Sequence, residues 1–257
     1  MRIHAIQTGT ATIHERQRVG SEGPLRQLRM LADREWTEPL PILAWLIEHP
    51  EGLIVVDTGE TARATRPGYF PRWHPYFRLA LRLAIAEDDE IGPRIRALGF
   101  DPRDVRWVVL THMHTDHAGG LEHFPDSEIL VTHEEWAHAT GWRGRLRGYP
   151  NRHWPDWLQP NLVSAPDALT AAGDVRMEPT PGHTPGHMSV TVETGDALVI
   201  LAGDTSYDDR MLVDGIAADA QAARGSLQRL RRLVDQRGAL YLTSHDPQGA
   251  ARLQALG

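Results

Sequence analysis

Three histidines and one aspartate fall within six positions, His112-Met113-His114-Thr115-Asp116-His117. No other stretch restricts the fold so tightly. A globular core satisfies one buried histidine by hydrogen bonding. Three beside a carboxylate need a shared partner, and a metal ion is the simplest one. In an extended segment, residues two apart point the same way, so His112 and His114 can reach one metal if the strand before them opens into a loop. Asp116 and His117 follow a change of direction and can face a second metal. Gly119 and Gly120 permit the tight turn behind them.

A zinc site takes about four ligands, and a catalytic one keeps a position for water. The remaining ligands must come from later in the chain. Three candidates stand there, each past a predicted strand or in a Gly/Pro turn: His183 in Thr180-Pro181-Gly182-His183-Thr184-Pro185-Gly186-His187, Asp204 in Gly203-Asp204, and His245. Loops at strand ends are where a rigid scaffold presents ligands. His183 would complete the first metal and His245 the second, with the Asp204 carboxylate bridging. A lone histidine is more often a surface or satisfied core residue than a ligand. Seven ligand types in order reverse that balance for the set, but not for His4, His14, His49, His74, His123, His133, His138 or His153. His187 reads as structural. Asp57 is a turn aspartate by default and a candidate partner of a metal histidine.

The strands are legible as short apolar runs. Ile3–Gln7 is a first strand; Ile42–Glu48 and Leu53–Val56 flank a hairpin turn, and the second run ends in Asp57-Thr58-Gly59. Val105–Leu110 leads into the histidine cluster, and Glu128–Thr132 leads into a helix from His133. Val190–Glu193 and Ala197–Leu201 make a second hairpin around Thr194-Gly195-Asp196, and Ala239–Leu242 is a last strand. Helices are expected over Tyr76–Ala86, where Arg78 and Arg82 stand one turn apart, over Ile91–Leu98 before Gly99, and over Asp219–Asp235. His14–Glu38 is a polar, arginine-rich arm with little apolar content, expected to lie across a neighbouring subunit in a homodimer. Trp142, Trp154 and Trp157 sit in a Gly/Pro/Arg-rich loop, 141–160, and serve as core plugs or as substrate walls. With no repeat and no Gly/Ser linker, residues 1–257 read as one domain.

Composition excludes several chemistries. The chain has no cysteine, hence no disulfide, thiolate zinc site or cysteine nucleophile. All 27 basic residues are arginine, so no Schiff-base or P-loop lysine exists. A net charge of −7 argues against a nucleic-acid or anionic-membrane surface. No apolar run approaches the roughly 18 residues of a membrane span, and the N-terminus carries no signal-peptide pattern, so the expected location is the cytoplasm.

The ordered set His-x-His-x-Asp-His, Gly-His, Gly-Asp and a late His, with the Asp57-Thr58-Gly59 turn, resembles the metallo-β-lactamase superfamily over nearly the whole chain. That resemblance implies an α/β (α+β) fold, a four-layer αββα sandwich of two mixed sheets flanked by helices. It also implies a dinuclear centre, with His112, His114 and His183 on one metal, Asp116, His117 and His245 on the other, and Asp204 bridging. Zinc suits these ligands; iron, cobalt and manganese also accept imidazole and carboxylate. Twelve residues follow His245, and the helical C-terminal domain of glyoxalase II-type thioesterases, which share this motif set, is not expected. Tyr207 follows the bridging Asp204 by three residues, a spacing similar to that of the N-acyl-homoserine lactonases of the superfamily. Their chemistry implies lactone ring opening by a metal-bridging hydroxide, with Tyr207 at the substrate carbonyl and Asp116 passing a proton to the leaving oxygen. The acyl chain would lie along residues 61–90 or the tryptophan loop. Two alternatives stay open: another hydrolase of the fold, acting on a thioester, a β-lactam or a phosphodiester, and a non-hydrolytic metalloprotein.

Overall fold

Strand side chains alternate between two directions, and here each direction finds its own core. The computed structural model describes residues 1–257 except Ser21, Glu22, Pro24, Arg143, Arg145, Leu146, Gly148, Pro150, Asp196 and Gly257, and except the side chain of Asn151. Asp196 of the expected hairpin turn and five positions of the tryptophan loop therefore lie outside the described residues. The chain opens with β1 (Arg2–Ile13), longer than the expected Ile3–Gln7 because the strand bends at Gly9 (φ 119°) and resumes pairing at Thr10. Two short helices follow, α1 (Glu15–Val19) and α2 (Arg26–Leu31). Then β2 (Leu40–His49) and β3 (Gly52–Val56) form the expected antiparallel hairpin. Next come α3 (Pro75–Leu79), β4 (Leu81–Ala84), α4 (Ile91–Ala97), β5 (Val105–Val109), α5 (Thr115–Ala118), β6 (Glu128–Thr132), α6 (His133–Thr140) and β7 (Asn161–Val163). The seven strands form one mixed sheet in the order β4-β1-β2-β3-β5-β6-β7.

The second sheet contains β8 (Asp167–Ala168), β9 (Val175–Pro179), β10 (Met188–Glu193), β11 (Leu198–Leu201) and β12 (Leu240–Leu242), in the order β12-β11-β10-β9-β8. Between β11 and β12 runs α7 (Ala220–Arg237), and α8 (Gly249–Gln254) follows β12. Leu43, Trp45 and Ile47 of β2 face Val190, Val192, Val199 and Leu201 of the second sheet and form the core between the sheets. The intervening Ala44 and Leu46 face outward, onto Ile91 and Ile95 of α4. Leu198 and Ile200 face outward onto Leu227 and Leu230 of α7. Strands apolar on both faces, each face covered, give the helix–sheet–sheet–helix layering expected from the motifs. No helix among the described residues is long and apolar enough to cross a membrane.

One expectation is corrected. The helix expected over Tyr76–Ala86 ends at Leu79, and Leu81–Ala84 is a strand paired with Thr10–Ile13 of β1. There Leu81 and Leu83 alternate with Arg82 and Ala84, and the Arg82 guanidinium lies 3.8 Å over the Trp36 ring. The open edge of β1 decides the outcome by offering hydrogen bonds that a free helix end lacks. The described residues of the arm make contacts with the rest of their own chain. Met30 is buried, the Gly215 N–H donates to the Gln17 carbonyl (2.7 Å), and Arg26 donates to the Ala217 carbonyl. What it lacks in apolar content it replaces with backbone and side-chain hydrogen bonds.

Candidate metal centre

The histidine cluster begins where β5 ends. Beyond Val109 the chain opens into a loop that carries His112 and His114, then turns into α5, which carries Asp116 and His117. The Asp57-Thr58-Gly59 turn at the end of β3 fastens this loop. The His117 carbonyl accepts from the Thr58 N–H (2.8 Å) and hydroxyl (2.9 Å), and the Gly119 N–H donates to the Gly59 carbonyl (2.9 Å). Gly119 and Gly120 have ordinary backbone angles, so the tight turn does not need their conformational freedom. It needs their lack of a side chain: a Cβ on Gly120 would sit 2.3 Å from the Thr58 carbonyl oxygen.

All seven sequence-derived ligands converge. Nε2 of His112 and Nε2 of His183 each lie 3.0 Å from Nδ1 of His114. Asp204 follows, with Oδ2 3.5 Å from His183 Nε2 and Oδ1 3.4 Å from His117 Nε2. His245 Nε2 stands 3.4 Å from Asp116 Oδ2 and 3.5 Å from Asp204 Oδ1. Asp204 thus reaches both groups, one oxygen to each.

The outer ring nitrogens show which atoms face inward. His117 Nδ1 donates to Asp57 Oδ2 (2.8 Å), His183 Nδ1 to Asp214 Oδ2 (3.0 Å) and His245 Nδ1 to the Pro41 carbonyl (2.9 Å). Thr111 donates its hydroxyl to Asp57 Oδ2 (2.8 Å), which leaves its oxygen to accept from His112 Nδ1 (3.1 Å). Each of these four rings is fixed as the tautomer whose Nε2 lone pair faces the centre, the arrangement that metal-binding histidines use. His187 has the structural position its sequence suggested. Its Nε2 accepts from the Asp204 N–H (3.1 Å), and its Nδ1 bonds the Thr180 hydroxyl (2.9 Å).

The electrostatics ask for positive charge. Burial drives the His114 pKa down to about 3 and holds His112 and His187 well below the usual histidine value. Burial acts the same way on His117 and His245, but carboxylates outweigh it: Asp204, Asp57 and Asp116 raise His117, and Asp204 and Asp116 take His245 to about 10. His117 Nε2 and Asp204 Oδ1 are buried with no hydrogen-bond partner. Two orphaned inward lone pairs, beside the neutral imidazole nitrogens of His112 and His114 and the carboxylate oxygens of Asp116 and Asp204, fit divalent cations and little else.

Sequence reasoning missed Thr111, Asp214 and the Pro41 carbonyl, which orient ligands, and Gln17, whose side-chain nitrogen donates to the Tyr207 hydroxyl (2.7 Å). Asp214 lies in an ordinary Asp-Gly turn and Gln17 in the polar arm, and neither carries a local signal. Tyr207 stacks on His245 (centroids 5.2 Å apart, planes at 26°) and lines a cavity of about 510 Å³ that opens onto the centre. Of the unassigned histidines, His74 and His138 also line this cavity. Of the loop tryptophans, Trp154 stacks on Trp136 as a core plug, whereas Trp142 is exposed at the cavity wall.

Comparison with known proteins gives the family and the fold. The profile of the metallo-beta-lactamase superfamily matches residues 37–245. An N-acyl homoserine lactonase AttM of Azorhizobium caulinodans is 30% identical over 226 residues, which cover 81% of this chain and 82% of that protein. Its namesake from Rhizobium radiobacter is 28% identical over 273 aligned positions, covering 99% and 96%. Among solved structures, an N-acyl homoserine lactone hydrolase with N-hexanoyl-L-homoserine bound at its catalytic metal centre superposes with a TM-score of 0.78. That overlay covers 96% of this chain and 94% of the other, at 24% identity, and bears on the fold alone.

Proposed function

The chain belongs to the metallo-beta-lactamase superfamily, and from that we propose that this hydrolase, acting as one domain over residues 1–257, opens the lactone ring of N-acyl homoserine lactones. The observation that carries the reading is Tyr207. Its ring lies against His245 at the edge of a cavity whose lining divides between polar groups, among them His114, Asp116 and Asp204, and apolar ones, among them Met30, Phe77 and Ile216. A substrate with a polar ring and a hydrocarbon tail matches that division. The relatives named as N-acyl homoserine lactonases support the same substrate class.

His112, His114 and His183 would hold one divalent ion, Asp116, His117 and His245 a second, and Asp204 would stand between them. When bound, such a pair supplies Lewis acidity that brings the pKa of a water towards neutrality and stabilises negative charge on oxygen. Zinc suits the donors, as do iron, cobalt and manganese. The chain's own residues do the rest. Tyr207 donates its hydroxyl proton towards the lactone carbonyl oxygen as charge gathers there. Water adds to the lactone carbonyl carbon and the bond from that carbon to the ring oxygen breaks. Asp116 carries the proton lost by the water to that oxygen, which leaves as the homoserine hydroxyl.

The test is hydrolysis by metal-loaded protein of homoserine lactones of several acyl lengths, beside thioester, β-lactam and phosphodiester substrates, with elemental analysis of the same sample. Lactone turnover exceeding the others, with two ions per chain, is the expected result. A preference for any other class, or a stoichiometry near one, overturns the corresponding part. A homodimer belongs to the same reading, and light scattering at micromolar concentration checks it.

A further inference from the structure

We propose that Gln17 is a positioning residue: its carboxamide donates to two phenols at once, so that both Tyr207 and Tyr76 turn their own protons towards the substrate. The inference rests on the reading of Tyr207 as a donor to a substrate carbonyl. Gln17 lies on α1, 1% exposed. Its Nε2 stands 2.7 Å from the Tyr207 hydroxyl oxygen and 3.0 Å from that of Tyr76. A carboxamide nitrogen carries two protons, one for each phenol. A phenolic oxygen has a single proton of its own. Once that oxygen accepts from an amide, its proton must point elsewhere. Both tyrosines line the cavity that reaches Asp116 and Asp204, and that is where the protons are left to point.

The cost of this arrangement is visible. Gln17 Oε1 is buried and has no hydrogen-bond partner. The reverse orientation of the amide would satisfy that oxygen with both phenolic protons and leave none for a substrate. A buried polar atom left unsatisfied in a well-packed region calls for a reason, and functional sites are where such reasons are found. The position of Gln17 is also fixed. A Cβ on Gly20 would sit 2.1 Å from the Val213 carbonyl oxygen, and one on Gly215 would sit 2.4 Å from the Arg16 carbonyl oxygen. Only backbones without side chains approach so closely, and this clamps α1 to the same loop that presents Asp214 to His183. The arm, expected from the sequence to serve contact between subunits, thereby delivers an orienting group to Tyr207.

Two measurements test this, one without turnover. In ¹⁵N-labelled, zinc-loaded protein, the Gln17 side-chain NH₂ should give two exchange-protected proton signals, identified by their loss in Gln17→Ala. Tyr207→Phe should move one of them and Tyr76→Phe the other. Signals that neither variant moves overturn the proposal. In turnover, Gln17→Glu replaces the donor with a group that only accepts, so both phenolic protons turn to it. We expect kcat for the preferred substrate to fall on the order of 10- to 100-fold, towards that of Tyr207→Phe, at unchanged KM and metal content. Added to the double variant Tyr76→Phe and Tyr207→Phe, Gln17→Glu should cause no further loss. Full activity in Gln17→Glu, or an equal loss in that background lacking both phenols, overturns the proposal. Wild-type protein inert to lactones but showing both proton shifts overturns the lactone reading and supports the Gln17 assignment.

Discussion

Asp57 is not glycine, yet it holds a φ of 59°, a conformation in which aspartate and asparagine are enriched among the few residues that adopt it. The strain accompanies a task. Both carboxylate oxygens are used, Oδ1 by the Thr111 N–H (2.8 Å) and Oδ2 by the Thr111 hydroxyl and His117 Nδ1. Asp57→Asn keeps the turn, since asparagine tolerates the same φ, but puts an NH₂ where one acceptor stood. We expect metal affinity of the His117 group to fall about 10- to 100-fold, measured by competition with a chromophoric chelator, with a melting temperature changed by only a few degrees. Unchanged affinity would show that His117 needs no carboxylate behind it. The sequence signals Asp57 because its turn directly ends an apolar strand. It does not signal Asp214, which does the same for His183 from 31 residues away. Nothing in a linear pattern records which carboxylate a folded loop places behind an imidazole.

The elements divide along the same line. The helix expected at 219–235 is written locally: Asp219 caps it by accepting from the Gln221 N–H (2.8 Å) and the Ala222 N–H (3.1 Å), and Gly238 closes it in the left-handed conformation. Leu81–Ala84 carries no such markers, and only the partner edge of β1 makes it a strand. The metal loop lies between these cases. Its ligands are local, but its shape depends on the contact of Gly120 with Thr58. Gly120→Ala should therefore destabilise the protein by about 1–3 kcal/mol, because the added methyl meets backbone that cannot yield. Gly225→Ala on α7 is the control: a Cβ there meets nothing nearer than 3.9 Å, and the change should stabilise by up to about 1 kcal/mol. Paired urea melts decide it. Equal effects at the two positions would mean that the loop's glycines answer to conformation rather than to space.

The two halves of the sandwich meet beneath the metal centre at one carboxylate, Glu135 of α6. It accepts from the Met113 N–H (2.9 Å) in the metal loop, from the Tyr149 hydroxyl (3.1 Å), and from the Thr184 hydroxyl (2.6 Å) in the loop that carries His183. No spacing in the sequence marks it, because its partners lie 14 to 49 residues away in different layers. Burial pushes its pKa up; the bonds from Thr184, Met113 and Tyr149 pull it back, and the raised value wins over the ordinary 4.5. The sign of its effect on stability follows. The folded protein binds this proton more tightly than the unfolded chain, so the contribution of Glu135 is fullest below about 4.5 and is lost as pH rises through the folded value. Glu135→Gln has the same shape, a carbonyl for the Met113 N–H and no proton to release. In urea melts of metal-loaded protein, the two should be matched to within about 1 kcal/mol near the acid end. From there towards neutral pH, the stability of wild type relative to Glu135→Gln should decline. A difference that moves in favour of wild type as pH rises would mean that the three donors hold Glu135 as a stabilising charge, and that it ties the two halves together as an anion.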